Sequence, residues 1–100
     1  MGSRGPSGVL AVPVRILYRI LPEEAGEEVV DRILGEIERR AGEAGFKVLD
    51  HRKEPVAFGL NALLLLLEVE EAGGVLERVE EELRSIEGVS SVEAVRLTRI

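Results

Sequence analysis

Residues 57–70, AFGLNALLLLLEVE, contain the longest uninterrupted apolar run of the chain, and the fold class depends on whether this segment is a helix or a strand. Leucine by itself favours a helix. The segment is nevertheless bounded by Pro55 and by the pair Gly73-Gly74, and Gly59 lies early in it. One set of alternate positions is apolar throughout and consists of Leu63, Leu65, Leu67 and Val69. The positions between them end in the glutamates Glu68 and Glu70. This alternation and the bounding residues predict a strand.

The residues before this segment show first the period of a strand and then the period of a helix. Apolar residues at every second position predict a first strand, which Pro22 ends; they are Val12, Val14, Ile16, Tyr18 and Ile20. From Glu23 a four-residue spacing predicts an amphipathic helix that ends near Gly42 and Gly45; its stripe is Val29, Val30, Ile33, Leu34, Ile37 and Ala41. Its predicted first turn contains four glutamates, which suits the positive end of a helix dipole; they are Glu23, Glu24, Glu27 and Glu28.

Three more elements follow from the rest of the chain. Phe46, Val48 and His51 predict a short strand that Pro55 interrupts. After Gly74 a second helical stripe runs as far as Gly88; it comprises Val75, Leu76, Val79, Leu83 and Ile86. Residues 89–100 lack such a stripe and predict a last strand.

The resulting order, strand, helix, strand, strand, helix, strand, predicts an α+β fold of the ferredoxin-like β-α-β-β-α-β type. Right-handed crossovers place both helices on one face of a four-stranded antiparallel sheet. The other face is then open to solvent and carries mixed aliphatic and charged residues, namely Arg15, Leu17, Arg19, Leu64, Leu66, Glu68 and Glu70. We expect one domain over residues 9–100, preceded by a flexible tail over residues 1–8, which are rich in Gly, Pro and Ser.

Composition excludes several classes of function. Thirteen Lys and Arg against nineteen Asp and Glu give a net charge of -6, which argues against direct binding of nucleic acid. The chain has no cysteine, which favours a reducing, cytoplasmic location. Its apolar runs are far shorter than the roughly 20 residues that span a bilayer, so no membrane contact is expected. Asn61 is the only asparagine and glutamine is missing, a pattern typical of a thermophilic protein.

Candidate catalytic and metal-binding residues are few. His51 is the only histidine, so a metal site built from several histidines is excluded, and we interpret it as an exposed residue at a strand end. The acidic run at residues 80–82 lies on the outer side of the second predicted helix and is interpreted as solvated surface. No cofactor, metal or small-molecule substrate is expected. Phe58, one of three aromatic residues, is either a hydrophobic plug or a protruding anchor, and physical reasoning alone favours burial.

Two sequence blocks carry a family resemblance. The first is residues 54–63, EPVAFGLNAL; the second begins with VEEEL at residues 79–83 and continues through IEGV at 86–89 and SVE at 91–93. In order and spacing these blocks resemble the guanine-nucleotide exchange domain of translation elongation factor 1-beta in its short archaeal form. The resemblance implies a ferredoxin-like domain that binds the GTPase elongation factor 1-alpha and promotes GDP release and GTP rebinding, without covalent chemistry and hence without being an enzyme.

The resemblance also implies which residues bind the partner. The aromatic residue of the Pro-x-x-Phe-Gly block contacts the GTPase in this family, which indicates Phe58 together with Gly59. A basic residue next to the last position reaches toward the magnesium and phosphate region, which indicates Arg99 together with the terminal Ile100. This chain carries arginine where the eukaryotic form has lysine, and a planar guanidinium is not equivalent to a compact ammonium.

Other functions are possible on the same fold. A regulatory module of the ACT type would bind a small ligand such as an amino acid and remains the main alternative. An acylphosphatase-like enzyme would need a Gly-rich phosphate loop after the first strand, where this chain has Leu21-Pro22-Glu23-Glu24. An RNA-recognition module would need stacked aromatic residues on its strands and a basic surface, and this chain, with a net charge of -6, offers neither.

Overall fold

A computed structural model describes residues 12–71 and 74–99. It contains the six expected elements, with strands β1 (Val12–Pro22), β2 (Phe46–Pro55), β3 (Asn61–Glu71) and β4 (Val89–Arg99), and helices α1 (Glu27–Ala44) and α2 (Val75–Arg84). Their order confirms the predicted β-α-β-β-α-β arrangement, including the strand in the leucine-rich segment. The predicted tail at residues 1–8, the glycine pair's Gly73 and the terminal Ile100 lie outside the described residues.

The four strands form one antiparallel sheet in the order β2-β3-β1-β4. Leu67 of β3 lies opposite Ile16 of β1 and Val48 of β2, and Ile16 also lies opposite Leu97 of β4. Because side chains alternate along a strand, this register places the buried residues of β1 and β3 on one face. They are Val14, Ile16, Tyr18, Ile20, Leu63, Leu65, Leu67 and Val69.

Both helices contribute buried apolar residues to the single hydrophobic core. Those of α1 are Val30, Ile33 and Ile37, and those of α2 are Val75, Val79 and Leu83. The residues assigned to the solvent side, from Arg15 to Glu70, alternate with the buried ones and are half-buried or exposed. The sheet is therefore covered by helices on one face and open on the other, as predicted. Among the described residues, neither helix is long and apolar enough to span a membrane.

The start of α1 differs from the prediction. The helix begins at Glu27 and not at Glu23, and Gly26 before it has a φ of 113°. The reason is a tertiary contact, because the Glu23 N–H donates to the carbonyl of Gly88 at 2.8 Å and so leads the chain away from a helical path. At the other end Gly42 lies within the helix, and Gly45, with a φ of 84°, provides the left-handed cap.

Ion pairs and hydrogen bonds hold the helix layer together. Arg40 donates from Nε to Glu36 at 2.7 Å within α1 and from Nη1 to Glu82 of α2 at 3.1 Å. Hydrogen bonds from Arg39, and next from Arg40, lower the pKa of Glu36 to about 2. The Tyr18 hydroxyl donates to Glu80 at 3.1 Å. The interpretation of the acidic run 80–82 as plain solvated surface is therefore wrong for two of its three residues, because they accept hydrogen bonds from other elements.

Candidate functional site

Phe58 is the most exposed large apolar side chain in the described structure. Its relative accessibility is 97%, whereas the Tyr18 ring, on the helix side of the sheet, is 1% accessible. The expectation from physical reasoning alone, that Phe58 is buried, is wrong. The aromatic residue protrudes because it lies in the connection between β2 and β3, and β3 begins at Asn61 and not at residue 57.

The turn that carries Phe58 is tightly constrained. The Leu60 N–H donates to the Ala57 carbonyl, and the Val56 N–H donates to the Leu60 carbonyl, both at 2.9 Å. Phe58 and Gly59 are its central residues, with φ values of 54° and 79°. Two successive positive φ values are the pattern of a type I′ hairpin turn, in which Asn-Gly is the common pair. A phenylalanine at the first of these positions is strained, since its Cβ crowds the backbone in the left-handed region.

Gly59 joins this turn to the connection between β1 and α1. Its carbonyl accepts a hydrogen bond of 3.3 Å from the Gly26 N–H. A Cβ at Gly59 would lie 3.3 Å from the Cβ of Ala25, which is tight. Together with the bond from Glu23 to Gly88, these contacts bring three connections to one end of the sheet. Phe58 therefore projects from a turn that is hydrogen-bonded internally and to the connection between β1 and α1.

Arg99 lies at the other end of the sheet. It is the last residue of β4, its side chain is exposed, and it pairs in register with Val14 of β1. Phe58 lies beyond the opposite end of β1, whose residue Ile20 pairs with Leu63 of β3. At about 3.3 Å per residue the two sites are separated by roughly 25 Å along the strands. The structure thus brings Phe58 and Gly59 together but does not bring Arg99 to them.

The open face of the sheet holds a groove that sequence reasoning missed. Its volume is about 400 Å³, and it is lined by Arg15, Leu17, Asp50, His51, Arg52, Leu64, Leu66, Arg96 and Thr98. Register shifts interrupt both edge strands beside it, between Val48 and Asp50 in β2 and between Arg96 and Ala94 in β4. The extra residues, Leu49 and Val95, are exposed apolar side chains that break the alternation of their strands. The bulges are defined only by the pairing of each edge strand with its neighbour, so no signal for them was available in the sequence alone.

The described residues offer no candidate metal centre. No group of three His, Asp or Glu side chains among them is placed to hold an ion. His51 is exposed on the edge strand β2, and its backbone N–H donates to the Asp50 carboxylate at 2.8 Å. The exposed Phe58 ring, the basic side chains and the open sheet face are the features of the described structure that could contact another molecule.

Solved structures with the same architecture include two domains of other proteins. The C-terminal domain of the MgtC protein from Mycobacterium tuberculosis has a TM-score of 0.61 at 18% identity, over 99% of this chain and 93% of that one. The ACT domain from GTP pyrophosphokinase of Chlorobium tepidum has a TM-score of 0.50 at 19% identity, over 85% of this chain and 96% of that one. At such identities the likeness shows the fold alone.

Sequence comparison is more specific. The family model described as the EF-1 guanine nucleotide exchange domain matches residues 15–100. Elongation factor 1-beta of Thermofilum pendens is 34% identical over 90 residues, covering 86% of this chain and 93% of that protein. Elongation factor 1-beta of Ignicoccus hospitalis is 34% identical over 96 residues, covering 92% and 97%. These relatives are archaeal and include proteins of thermophilic hosts, which agrees with the amide-poor composition. The chain belongs to the family of elongation factor 1 guanine nucleotide exchange domains.

Proposed function

We propose that this protein is the guanine-nucleotide exchange factor of the translation elongation GTPase, elongation factor 1-alpha, from which it promotes GDP release so that GTP can rebind. Membership of the family supports an exchange role in elongation. The single structural observation that carries the choice of contact residue is the 97% exposure of Phe58 on a strained and hydrogen-bonded turn.

The strain at Phe58 is unfavourable for the free protein. A left-handed conformation costs an L-residue roughly 1–2 kcal/mol, and an exposed ring recovers almost none of this through burial. Aromatic side chains are enriched among residues that contribute most of the free energy of protein association. A ring held in this way is therefore expected to enter an apolar pocket of the GTPase, with Gly59 keeping the turn in the required conformation.

Arg99 would act on the nucleotide site and not on attachment. If the GTPase cannot hold both the exchange factor and magnesium with GDP at full strength, each ligand weakens the other by the same factor. A guanidinium near the magnesium site opposes the metal through like-charge repulsion, and loss of the metal removes the counter-charge of the β-phosphate. Because Phe58 and Arg99 lie far apart, we infer two separate contacts, one that anchors and one that perturbs. No covalent step is needed.

Release of a fluorescent GDP analogue from the cognate GTPase tests this proposal. The wild-type chain should accelerate release, and Phe58→Ala should lower the second-order rate constant at least about tenfold, as for a central anchor residue. Val56→Ala is the matched control, because Val56 is 43% exposed in the same connection and has no assigned contact role. Equal release rates with Phe58→Ala and with the wild type would rule out Phe58 as the main contact residue. If the wild-type chain did not accelerate release, the proposed exchange activity would be wrong.

Arg99 needs a separate measurement, the release rate at saturating exchange factor. Arg99→Ala should lower that maximal rate while leaving the concentration for half-maximal effect nearly unchanged, because the side chain perturbs the nucleotide site and contributes little to attachment. Arg99→Lys should retain most of the maximal rate, because like-charge repulsion of the metal needs a positive charge and not the planar shape of the guanidinium. A variant whose defect disappears at high concentration would instead show that Arg99 is a simple binding residue.

A further inference from the structure

We propose that the groove on the open face of the sheet is a docking site for an acidic amphipathic helix of a partner protein. This site is distinct from the Phe58 turn, and the proposal goes beyond nucleotide exchange. Three observations support it, namely the shape of the groove, its aliphatic floor and the charge of its rim.

The shape comes from two bulges at the same level of the sheet. Leu17 of β1 and Leu66 of β3 pair with each other, and each lies beside a register shift in the neighbouring edge strand. Bulges bend a strand and increase its twist. The edge strands β2 and β4 are three strand spacings apart, roughly 14 Å, which is wide enough for a helix of about 10 Å diameter.

The floor is built from the two central strands. Leu17, Leu64 and Leu66 are half-buried, although no element of the described structure packs over them. On their opposite face, the same strands already pack against the apolar residues of both helices. A row of leucines on a sheet packs against an amphipathic helix in the same way on either face, so the floor favours an apolar helical stripe over a purely polar ligand.

The rim is positive although the chain as a whole is acidic. On the central strand β1 the arginines are already paired, Arg15 with Glu68 at 3.2 Å and Arg19 with Glu54 at 3.4 Å. On the edge strands, Arg52 and Arg96 have no ion pair with any described residue.

The remaining charge in the lining is a single aspartate. This aspartate, Asp50, accepts a hydrogen bond from the His51 backbone N–H. Three arginines line the same groove, so the lining carries more positive than negative charge although the chain has a net charge of -6. Two arginines without a carboxylate partner, one on each side of an aliphatic floor, match a helix with leucines on one side and glutamates or aspartates beside them.

Other occupants fit less well. A second copy could not offer an apolar helix face to the groove, because the apolar faces of both helices are buried in its own core. A dimer in which the two open sheet faces meet would bring the arginines of one copy against those of the other. A single-stranded RNA would need several large aromatic rings for its bases to stack on, and the lining contains no Phe, Tyr or Trp. The groove is also open along the sheet face, which suits a helix better than an enclosed small molecule.

Two synthetic peptides test the proposal with the full-length chain. The first is a labelled, amidated helix of 14 residues with a leucine stripe flanked by glutamates; the second has lysine at each glutamate position. Fluorescence anisotropy should show binding of the glutamate peptide that weakens as salt is added, and much weaker binding of the lysine peptide. Equal binding of both peptides, or no binding of the glutamate peptide, would overturn the proposal.

Charge reversal locates the site. Arg52→Glu and Arg96→Glu should each weaken binding of the glutamate peptide about five- to tenfold, since reversal replaces an attraction by a repulsion. Arg78→Glu is the matched control, because Arg78 is an exposed arginine of α2 on the other side of the molecule. An equal loss in Arg78→Glu would show that only net charge matters and would contradict a site at the groove.

Light scattering on the free protein tests the second-copy alternative. A monomer is expected, and a dimer that Arg52→Glu dissociates would assign the groove to self-association and overturn the proposal. None of these measurements uses nucleotide or the GTPase. The docking site and the exchange activity can therefore be refuted independently of each other.

Discussion

Replacing Phe58 by asparagine should make the protein more stable and less active at the same time. The wild-type residue has a φ of 54° and a side chain that is 97% exposed. Asparagine adopts left-handed backbone conformations more readily than phenylalanine, and Asn-Gly is a preferred pair at the centre of a type I′ hairpin turn. The substitution thus relieves backbone strain and removes a ring that contributes almost nothing to the core.

The magnitude follows from these two terms. Left-handed backbone costs an ordinary L-residue roughly 1–2 kcal/mol, and asparagine retains part of that cost. Loss of buried area is negligible because only a few per cent of the ring surface is covered. We therefore expect Phe58→Asn to raise the free energy of unfolding by about 0.5–1 kcal/mol, which corresponds to roughly 2–8 °C in Tm for a domain of this size.

Urea denaturation at neutral pH, followed by circular dichroism, measures the change. Phe58→Ala is the first comparison, because alanine keeps a Cβ at the strained position and should alter stability by no more than about 0.5 kcal/mol. Val56→Asn is the second comparison, because Val56 is an exposed apolar residue of the same connection without a positive φ, and it should gain nothing.

Two results would contradict an exposed and strained Phe58. A buried phenylalanine costs about 3–5 kcal/mol when it is truncated to alanine. If Phe58→Ala lost an amount of that order, the ring would be packed against the fold in solution. If Phe58→Asn gained no stability, the left-handed strain would be absent. If Phe58→Asn is more stable than the wild type but promotes GDP release less well, Phe58 contributes to partner binding and not to the stability of the fold.

Three further substitutions have defined outcomes. Gly59→Ala should lower the free energy of unfolding by about 1–2 kcal/mol, because φ is 79° and the new Cβ meets Ala25; unchanged urea midpoints would contradict this. Tyr18→Phe should cost about 0.5–1.5 kcal/mol through loss of the hydrogen bond to Glu80. Burial, followed by the Glu80 charge, raises the pKa of Tyr18, so ultraviolet titration of the folded protein should show delayed phenolate formation. The pKa of Glu36 is lowered to about 2 from 4.5, so its contribution to stability is complete above pH 4.5 and is lost as the pH falls toward 2. Glu36→Gln should flatten that part of the stability profile, and a parallel profile would show that the carboxylate is not responsible.

The elements of this fold could be read from the sequence because their signals are local. A two-residue apolar period predicted β1 and β3, a helical period predicted both helices, and the structure contains all of them. Alternation along β1 and β3 also assigned the residues of the open face correctly, since these two strands pair with each other without a register shift. The two blocks around residues 54–63 and 79–93 were sufficient to indicate the family that the comparisons show.

The exposure of Phe58 depended on tertiary structure. Composition favours burial of an aromatic residue, and nothing local distinguishes Ala57 and Phe58 from the first residues of a strand. Their position outside the sheet follows from the pairing of Pro55 with Asn61, which closes the hairpin. It also follows from the hydrogen bond between Gly26 and Gly59, which joins residues distant in sequence. The late start of α1 has a similar cause, because it depends on a hydrogen bond from Glu23 to Gly88.

The groove is a further tertiary feature, since a bulge exists only relative to a neighbouring strand. Leu49 and Val95 look like ordinary strand residues until the registers of β2 on β3 and of β4 on β1 are known. Those registers turn Arg52 and Arg96 toward the same open face. Side-chain periodicity along one segment is encoded by that segment alone, whereas the face that a residue reaches after a bulge is set by backbone hydrogen bonds to another strand.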